Sequence, residues 1–363
     1  TLSNLISRLR SKRKPKSKSH PQPPLDTRPP LIPSPLPLVL PHHQHLLSTH
    51  GWTTITLPQP STHDPSIPAH PLQSAYEALF AAAQNFFDSP TAEKEKWKHR
   101  LGSEEGWSKI PGEKEFITLR TLAYTPECLR DPAERYWGLM GEYLEGTLGR
   151  ISASLGLPAG EGEGLRKFVG PCARMGATEA EKTATMLRIF RYEGWDAKVV
   201  AEPHADLGLL SAVVGDVPGL EVWGGADGWV DIERGYTGAQ ATYTVGRTLE
   251  RLSAGRYPAG GHRVVSYGAT PPSSCQPTAG GEEEKRYRHS IVFVLRAHEP
   301  VVVNSAELET AVTGPWAEPV SGVTAGKMYE EIRGKHFNIN IGHEEREKQR
   351  RNVRGKGKAG GVG

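Results

Sequence analysis

Three residues of this chain have the types and spacing to hold a metal ion. His204 and Asp206 stand two apart in Pro203-His204-Ala205-Asp206-Leu207-Gly208-Leu209-Leu210, just ahead of an apolar run. If that segment is extended, side chains at i and i+2 leave the same face, so an imidazole and a carboxylate reach one ion from one side. Two protein ligands hold a transition metal poorly, and His262, at the head of Arg263-Val264-Val265, is the candidate for a third. Two histidines and one carboxylate make a facial set that suits iron(II) and leaves coordination positions open. Taken alone, His-x-Asp is a short polar pair of a kind that recurs by chance. The elements around it must decide.

The segment before it reads as mainly helical. Residues 1–40 carry a basic run from Arg8 to Lys18 and then dense proline (Pro21 to Pro41), which predicts a disordered or loosely docked polyproline arm. A helix end stopped by Gly51 leads into a β-branched strand at Trp52-Thr53-Thr54-Ile55-Thr56-Leu57. From Pro71, Leu72, Ala75, Tyr76, Leu79, Phe80, Ala83, Phe86 and Phe87 repeat at helical spacing up to Asp88-Ser89-Pro90. Residues 105–117 read as a loop running into a short strand, with Glu113, Lys114 and Phe116 equally a substrate mouth or a solvated edge. A second amphipathic helix carries Tyr136, Leu139, Met140, Tyr143, Leu144, Leu148, Ile151 and Leu155, with Gly156 placed to cap it.

Beyond residue 175 the grammar changes to short β-type runs at Met186–Tyr192, Leu209–Val214, Leu220–Trp223, Trp229–Ile232, Val264–Tyr267, Ser290–Leu295 and Val301–Val303. Many short strands with turn signals between them predict a sandwich or jelly roll, and Asp227-Gly228 marks a hairpin. A helical turn from Gly246, ended by Gly255, would deliver His262 to the start of a strand. The expected fold is mostly β with helices (α+β), divided as an arm over 1–40, a helical region over 41–175, a jelly roll over 176–335 and a basic tail over 336–363.

Composition narrows the function. Over 363 residues, 44 Lys+Arg against 41 Asp+Glu leave a charge of only +3, so no global field marks a nucleic-acid binder. Three cysteines, Cys128, Cys172 and Cys275, are too scattered for a disulfide framework or a zinc knuckle, so a reducing, cytoplasmic setting fits best. A nuclear address is the lesser reading of the basic N-terminal run. No apolar run approaches membrane-spanning length, and the chain opens on Thr1 rather than Met, which reads as a missing true beginning.

Four stretches in order carry a resemblance: Pro203-His204-Ala205-Asp206 followed by Val217-Pro218-Gly219-Leu220-Glu221-Val222; Asp227-Gly228-Trp229-Val230; Gly246–Tyr257 leading into His262-Arg263-Val264; and Arg288-His289-Ser290. Together they resemble the isopenicillin N synthase-like branch of the Fe(II)/2-oxoglutarate-dependent dioxygenases, across roughly residues 45–335. The resemblance implies a double-stranded β-helix (jelly roll) core with a helical N-terminal region packed on it. It implies Fe(II) on His204, Asp206 and His262, with 2-oxoglutarate and O2 taking the open positions. Arg288, Ser290 and Tyr192 would bind the far carboxylate of the co-substrate, a role that a guanidinium fork and hydroxyl donors suit. The activity implied is oxidative decarboxylation to succinate and CO2, coupled to hydroxylation or desaturation of a small organic substrate of secondary-metabolite type.

Three departures stand out. Phe190 replaces the Asn that many relatives carry two residues before the assisting Tyr. A Pro-, Gly-, Ser- and Glu-rich insert separates His262 from Arg288 and reads as a floppy surface loop. Arg286 lies on the same predicted face as Arg288 but breaks the motif's register. His289 alternates away from Arg288, and His42, His43 and His45 lack a rigid scaffold. Two rivals follow: an isopenicillin N synthase-like iron oxidase in which Arg288 and Ser290 hold the substrate's own carboxylate, and a catalytically silent binding relative.

Overall fold

The computed structural model describes residues 26–59, 68–100, 103–194, 196–268, 287–336 and 338–359. In chain order its principal strands are β1 (Trp52–Thr56), β2 (Gly106–Ile110), β3 (Lys114–Leu119), β4 (Met186–Glu193), β5 (Ala197–His204), β6 (Leu210–Gly215), β7 (Leu220–Trp223), β8 (Trp229–Asp231), β9 (Gln240–Val245), β10 (His262–Tyr267) and β11 (Tyr287–Leu295). They form two antiparallel sheets, a larger one in the order β1-β9-β6-β11-β4-β3-β2 and a smaller one in the order β5-β10-β7-β8. This is the jelly roll expected from the strand grammar. Asp227-Gly228 does join an antiparallel pair, β7 with β8.

Alternation along the central strands explains the layering. On β4, Leu187 and Ile189 point out of the sandwich while Met186, Arg188, Phe190 and Tyr192 point in. On β11, Ile291, Phe293 and Leu295 point out while Arg288, Ser290, Val292 and Val294 point in. The outer face is covered by the helices Pro71–Asp88 and Glu127–Ser154. Tyr136 and Trp137 meet Phe293 edge-on, with centroids 6.4 and 5.3 Å away. Such pairs add about 0.5–1.5 kcal/mol each beyond area burial. Between the sheets, Phe116, Phe190 and Val213 pack against Val200, Leu220 and Val264 in a second, smaller core.

Three regions differ from their sequence reading. Residues 105–117 form the β2–β3 hairpin, and with β1 they make the N-terminal region a partner in the larger sheet as well as its helical cover. The arm is docked over 26–40: Arg28 donates to Ala254 O and Thr313 O, Ile32 N donates to Ser154 O, and Leu36 and Val39 are buried. The arm also makes a short antiparallel bridge to β1, with Val39 opposite Ile55 and Thr56 N donating to Leu38 O at 2.8 Å. The basic tail contains a helix, His343–Ala359, whose Arg346 is buried. The insert before β11, residues 269–286 with Arg286, lies outside the described residues, as do residues 1–25. Among the described residues no helix is long and apolar enough to cross a membrane.

Candidate metal and co-substrate site

His204 is the last residue of β5 and His262 the first of β10, and the two pair across the antiparallel ladder. Their rings sit 4.2 Å apart. Asp206 lies in the bend after β5 rather than on the strand, so the simple i, i+2 argument needs correction. Its carbonyl accepts from Arg247 N at the start of the helix Arg247–Leu252, which fixes the bend. His204 Nε2 is 3.8 Å from Asp206 Oδ1, and His262 Nε2 is 4.0 Å from Oδ2. One ligand atom from each residue falls within 4.8 Å of the other two.

The hydrogen bonds set the tautomers. His204 Nδ1 meets Glu202 O at 2.7 Å and His262 Nδ1 meets Gly260 O at 3.0 Å. A carbonyl only accepts, so each Nδ1 carries the proton and each Nε2 lone pair faces the common centre. Burial and the neighbouring His262 pull the His204 imidazole well below its ordinary value, which keeps it neutral and able to ligate. Burial pushes the Asp206 carboxyl up, but His262 and His204 outweigh it and hold the group below its ordinary value. Asp206 Oδ2 is buried without a hydrogen-bond partner. An orphaned carboxylate oxygen between two oriented imidazoles fits a divalent cation.

The second cluster lies on the larger sheet, whereas both histidines lie on the smaller one. Arg288 on β11 pairs with Tyr192 on β4, its guanidinium 5.6 Å from the ring. Arg288 Nε donates to Val217 O at 3.0 Å, and Nη2 donates to both oxygens of Glu233 at 2.9 and 3.0 Å. Glu233 is itself held by Gly219 N at 2.8 Å and Leu220 N at 2.7 Å. The guanidinium passes so close to Gly219 that a Cβ there would sit 2.6 Å from Arg288 Cδ and Nε. Arg288 Nη1 and Ser290 Oγ are buried without partners, and burial pushes the Tyr192 phenol up to about 12, so it stays a donor. Unused donors on one sheet face fit a bound carboxylate. His289 turns away from the cavity to Asp216, 2.9 Å off.

Between the clusters lies a cavity of about 50 Å3, room for a few waters, lined by the triad, Tyr192, Ser290, Arg188 and Phe190. Ile339 and Asn340, from the segment leading to the C-terminal helix, also line it. Lys114 is fully buried, and its Nζ reaches Ile339 O at 3.5 Å.

No protein-family model matches the chain, and no curated protein does. Solved structures do. A full-length Neurospora crassa protein in complex with alpha-KG and 5-formyluracil superposes with a TM-score of 0.57 at 18% identity, covering 79% of this chain and 87% of that one. JOX2 in complex with 2OG, Fe and JA gives 0.56 at 15% identity, covering 80% and 78%. The rice dioxygenase for auxin oxidation gives 0.54 at 20% identity, covering 79% and 85%. This chain has the fold of the 2-oxoglutarate/Fe(II) oxygenases.

Of the six residues expected from the sequence, the structure brings His204, Asp206, His262, Tyr192 and Ser290 to the cavity at the triad, while Arg288 lines a neighbouring one together with Tyr192. The sequence reading missed Glu233, Arg188 and the Ile339–Asn340 segment. A lone Glu in a turn gives no sequence signal for an ion pair with an arginine far along the chain. Lys114 is neither mouth nor solvated edge; it is inside.

Two expected results arise from these walls. Burial pulls the Lys114 ammonium from 10.5 down to about 7, helped by Arg346 and Arg188 and opposed by Glu113 and Glu202. Between those values the unfolded chain holds a proton that the folded chain has lost, so stability rises with pH across that window. Urea melts at pH 7 and pH 9 should show the rise, and Lys114→Met should flatten it. Arg346 pairs with Glu113 and Glu202, and Arg350 also pairs with Glu202, which ties the C-terminal helix to the β2–β3 turn and to β5. Arg346→Ala should speed limited proteolysis around residues 338–352 about tenfold or more, since about 1.4 kcal/mol of lost local stability is that factor. The midpoint of global unfolding should barely move.

Proposed function

We propose that this protein is a non-haem Fe(II)- and 2-oxoglutarate-dependent oxygenase that hydroxylates or desaturates a small organic molecule. The observation that carries the reading is the pairing of a preset triad with unused donors. His204, Asp206 and His262 converge with both Nε2 lone pairs free, and Arg288 Nη1 and Ser290 Oγ lie buried and unpartnered beside Tyr192. The small ligands named with the structural neighbours support a small-molecule substrate. Bound iron and co-substrate would supply the oxidation, in which one O2 and one 2-oxoglutarate give succinate, CO2 and the oxidised substrate. The chain's own part is to orient: Glu202 O and Gly260 O set the imidazoles, and Glu233 and Val217 O fix the Arg288 fork. The apolar walls exclude water.

Glu233 favours a second reading. It already neutralises Arg288 and occupies part of the fork, which leaves less of it for 2-oxoglutarate and favours an iron oxidase in which Arg288 and Ser290 hold the substrate's own carboxylate. The two are separated by incubating the Fe(II)-loaded protein with labelled 2-oxoglutarate under air and measuring succinate. Succinate above the iron-only blank supports the oxygenase; oxygen uptake that ignores 2-oxoglutarate supports the oxidase.

A further inference from the structure

Among the described residues, the strands of the larger sheet turn three cations inward, Arg288, Arg188 and Lys114, of which Arg188 lines the cavity beside the triad. Arg288 has Glu233. The other two have no carboxylate within ion-pair distance among the described residues, although Glu104 and Asp206 act on Arg188 from farther off. Arg188 Nε donates to Thr118 Oγ1 at 2.7 Å, and its two Nη atoms make no hydrogen bond there. Lys114 has only the long contact to Ile339 O, and the nearby Glu113 and Glu202 are engaged by Arg346 and Arg350. Burying a cation without an anion is costly, and two adjacent ones repel as well.

Phe190 joins them. Lys114 Nζ lies 5.5 Å from its ring centroid, and the Arg188 guanidinium lies 6.0 Å from it and 5.4 Å from Phe116. Lys114 is also 5.9 Å from the Tyr192 ring. The residue that departs from the expected Asn thus supplies a π face that both cations share. The remaining walls, Met186, Val213, Leu220, Val264 and Val292, are apolar.

We propose that Lys114 and Arg188, seated on Phe190, form an anion subsite that takes the carboxylate of the substrate, so that the substrate class is a small organic acid with an apolar body. In the structure described here Ile339 O occupies the Lys114 end of that subsite. The cavity is too small for such a molecule until Ile339 and Asn340 withdraw, and a carboxylate would replace the long carbonyl contact with a charge-assisted one. This inference rests on the oxygenase reading for its chemistry, though the subsite itself does not need the iron.

The test is calorimetry at pH 6.5 under nitrogen, with Fe(II) and saturating 2-oxoglutarate, using phenylacetate and octanoate against their primary amides. The acids should bind about tenfold to a hundredfold more tightly than the amides. Lys114→Met and Arg188→Met should each erase that preference while leaving amide affinity and the 2-oxoglutarate dissociation constant unchanged, and Arg188→Lys should keep part of it. Circular dichroism melts confirm that each variant is folded, and either Arg188 variant suffices if Lys114→Met is not. Equal binding of acids and amides, no binding of the acids, or an Arg188→Met variant that instead loses 2-oxoglutarate would each overturn the proposal. A protein that binds neither iron nor 2-oxoglutarate yet prefers the acids would keep the subsite and lose the oxygenase reading.

Discussion

Asp206→Ala should abolish iron binding while leaving the metal-free protein folded and about as stable as before. The carboxylate sits between His204 and His262, buried, with Oδ2 making no hydrogen bond. Burial costs this carboxylate while the two imidazoles favour it, and alanine removes both effects together. The backbone bond from Arg247 N to Asp206 O survives the substitution. Removing one of three ligands leaves a two-histidine site, and even outer-shell losses weaken metal binding by about 10–100-fold, so the effect here should exceed about a hundredfold. His204→Ala and His262→Ala should match it in iron affinity and in turnover. Iron titrations with thermal melts of the metal-free variants check both halves. A triad variant that keeps its turnover would refute the ligand set.

Arg288→Met should lose fold stability and co-substrate affinity together, and a second substitution should part the two. The Arg288 and Glu233 side chains are 6% and 4% exposed, so this ion pair has little solvent to fall back on. Removing one partner of such a pair costs about 3–5 kcal/mol. Removing both, as Arg288→Met with Glu233→Gln, should recover most of it, because the amide oxygen can still accept from Gly219 N and Leu220 N. Neither protein regains the Arg288 Nη1 donor, so both should bind 2-oxoglutarate about tenfold to a hundredfold more weakly. Urea melts read the first quantity and equilibrium dialysis of 2-oxoglutarate the second. A double variant that recovered co-substrate binding along with stability would show that Arg288 acts only on the fold.

The jelly roll was legible because its central strands alternate strongly and its turns carry Gly and Asp. Edge strand β5 was not, since its burial alternates poorly and Glu202 and Pro203 interrupt it. The helical turn ended by Gly255, with φ of 75°, was legible from composition, and it does precede His262. What escaped were the residues that violate pattern. Arg188 and Lys114 are charged side chains on inward strand positions, where a period-2 reading expects apolar ones, and functional sites are where such violations concentrate. Arg346 escaped for a related reason. It belongs to a run so basic that it reads as a solvated tail, and only the tertiary meeting with Glu113 and Glu202 buries it.

The most direct measurement is an anaerobic titration of the protein with Fe(II) and then 2-oxoglutarate, followed in the visible region. A 2-oxoglutarate chelated to iron held by His204, Asp206 and His262 gives a charge-transfer band that saturates at one equivalent of each, vanishes in Asp206→Ala, and needs more 2-oxoglutarate in Arg288→Met. Iron binding with no band at any 2-oxoglutarate concentration, or no iron binding at all, would contradict the account.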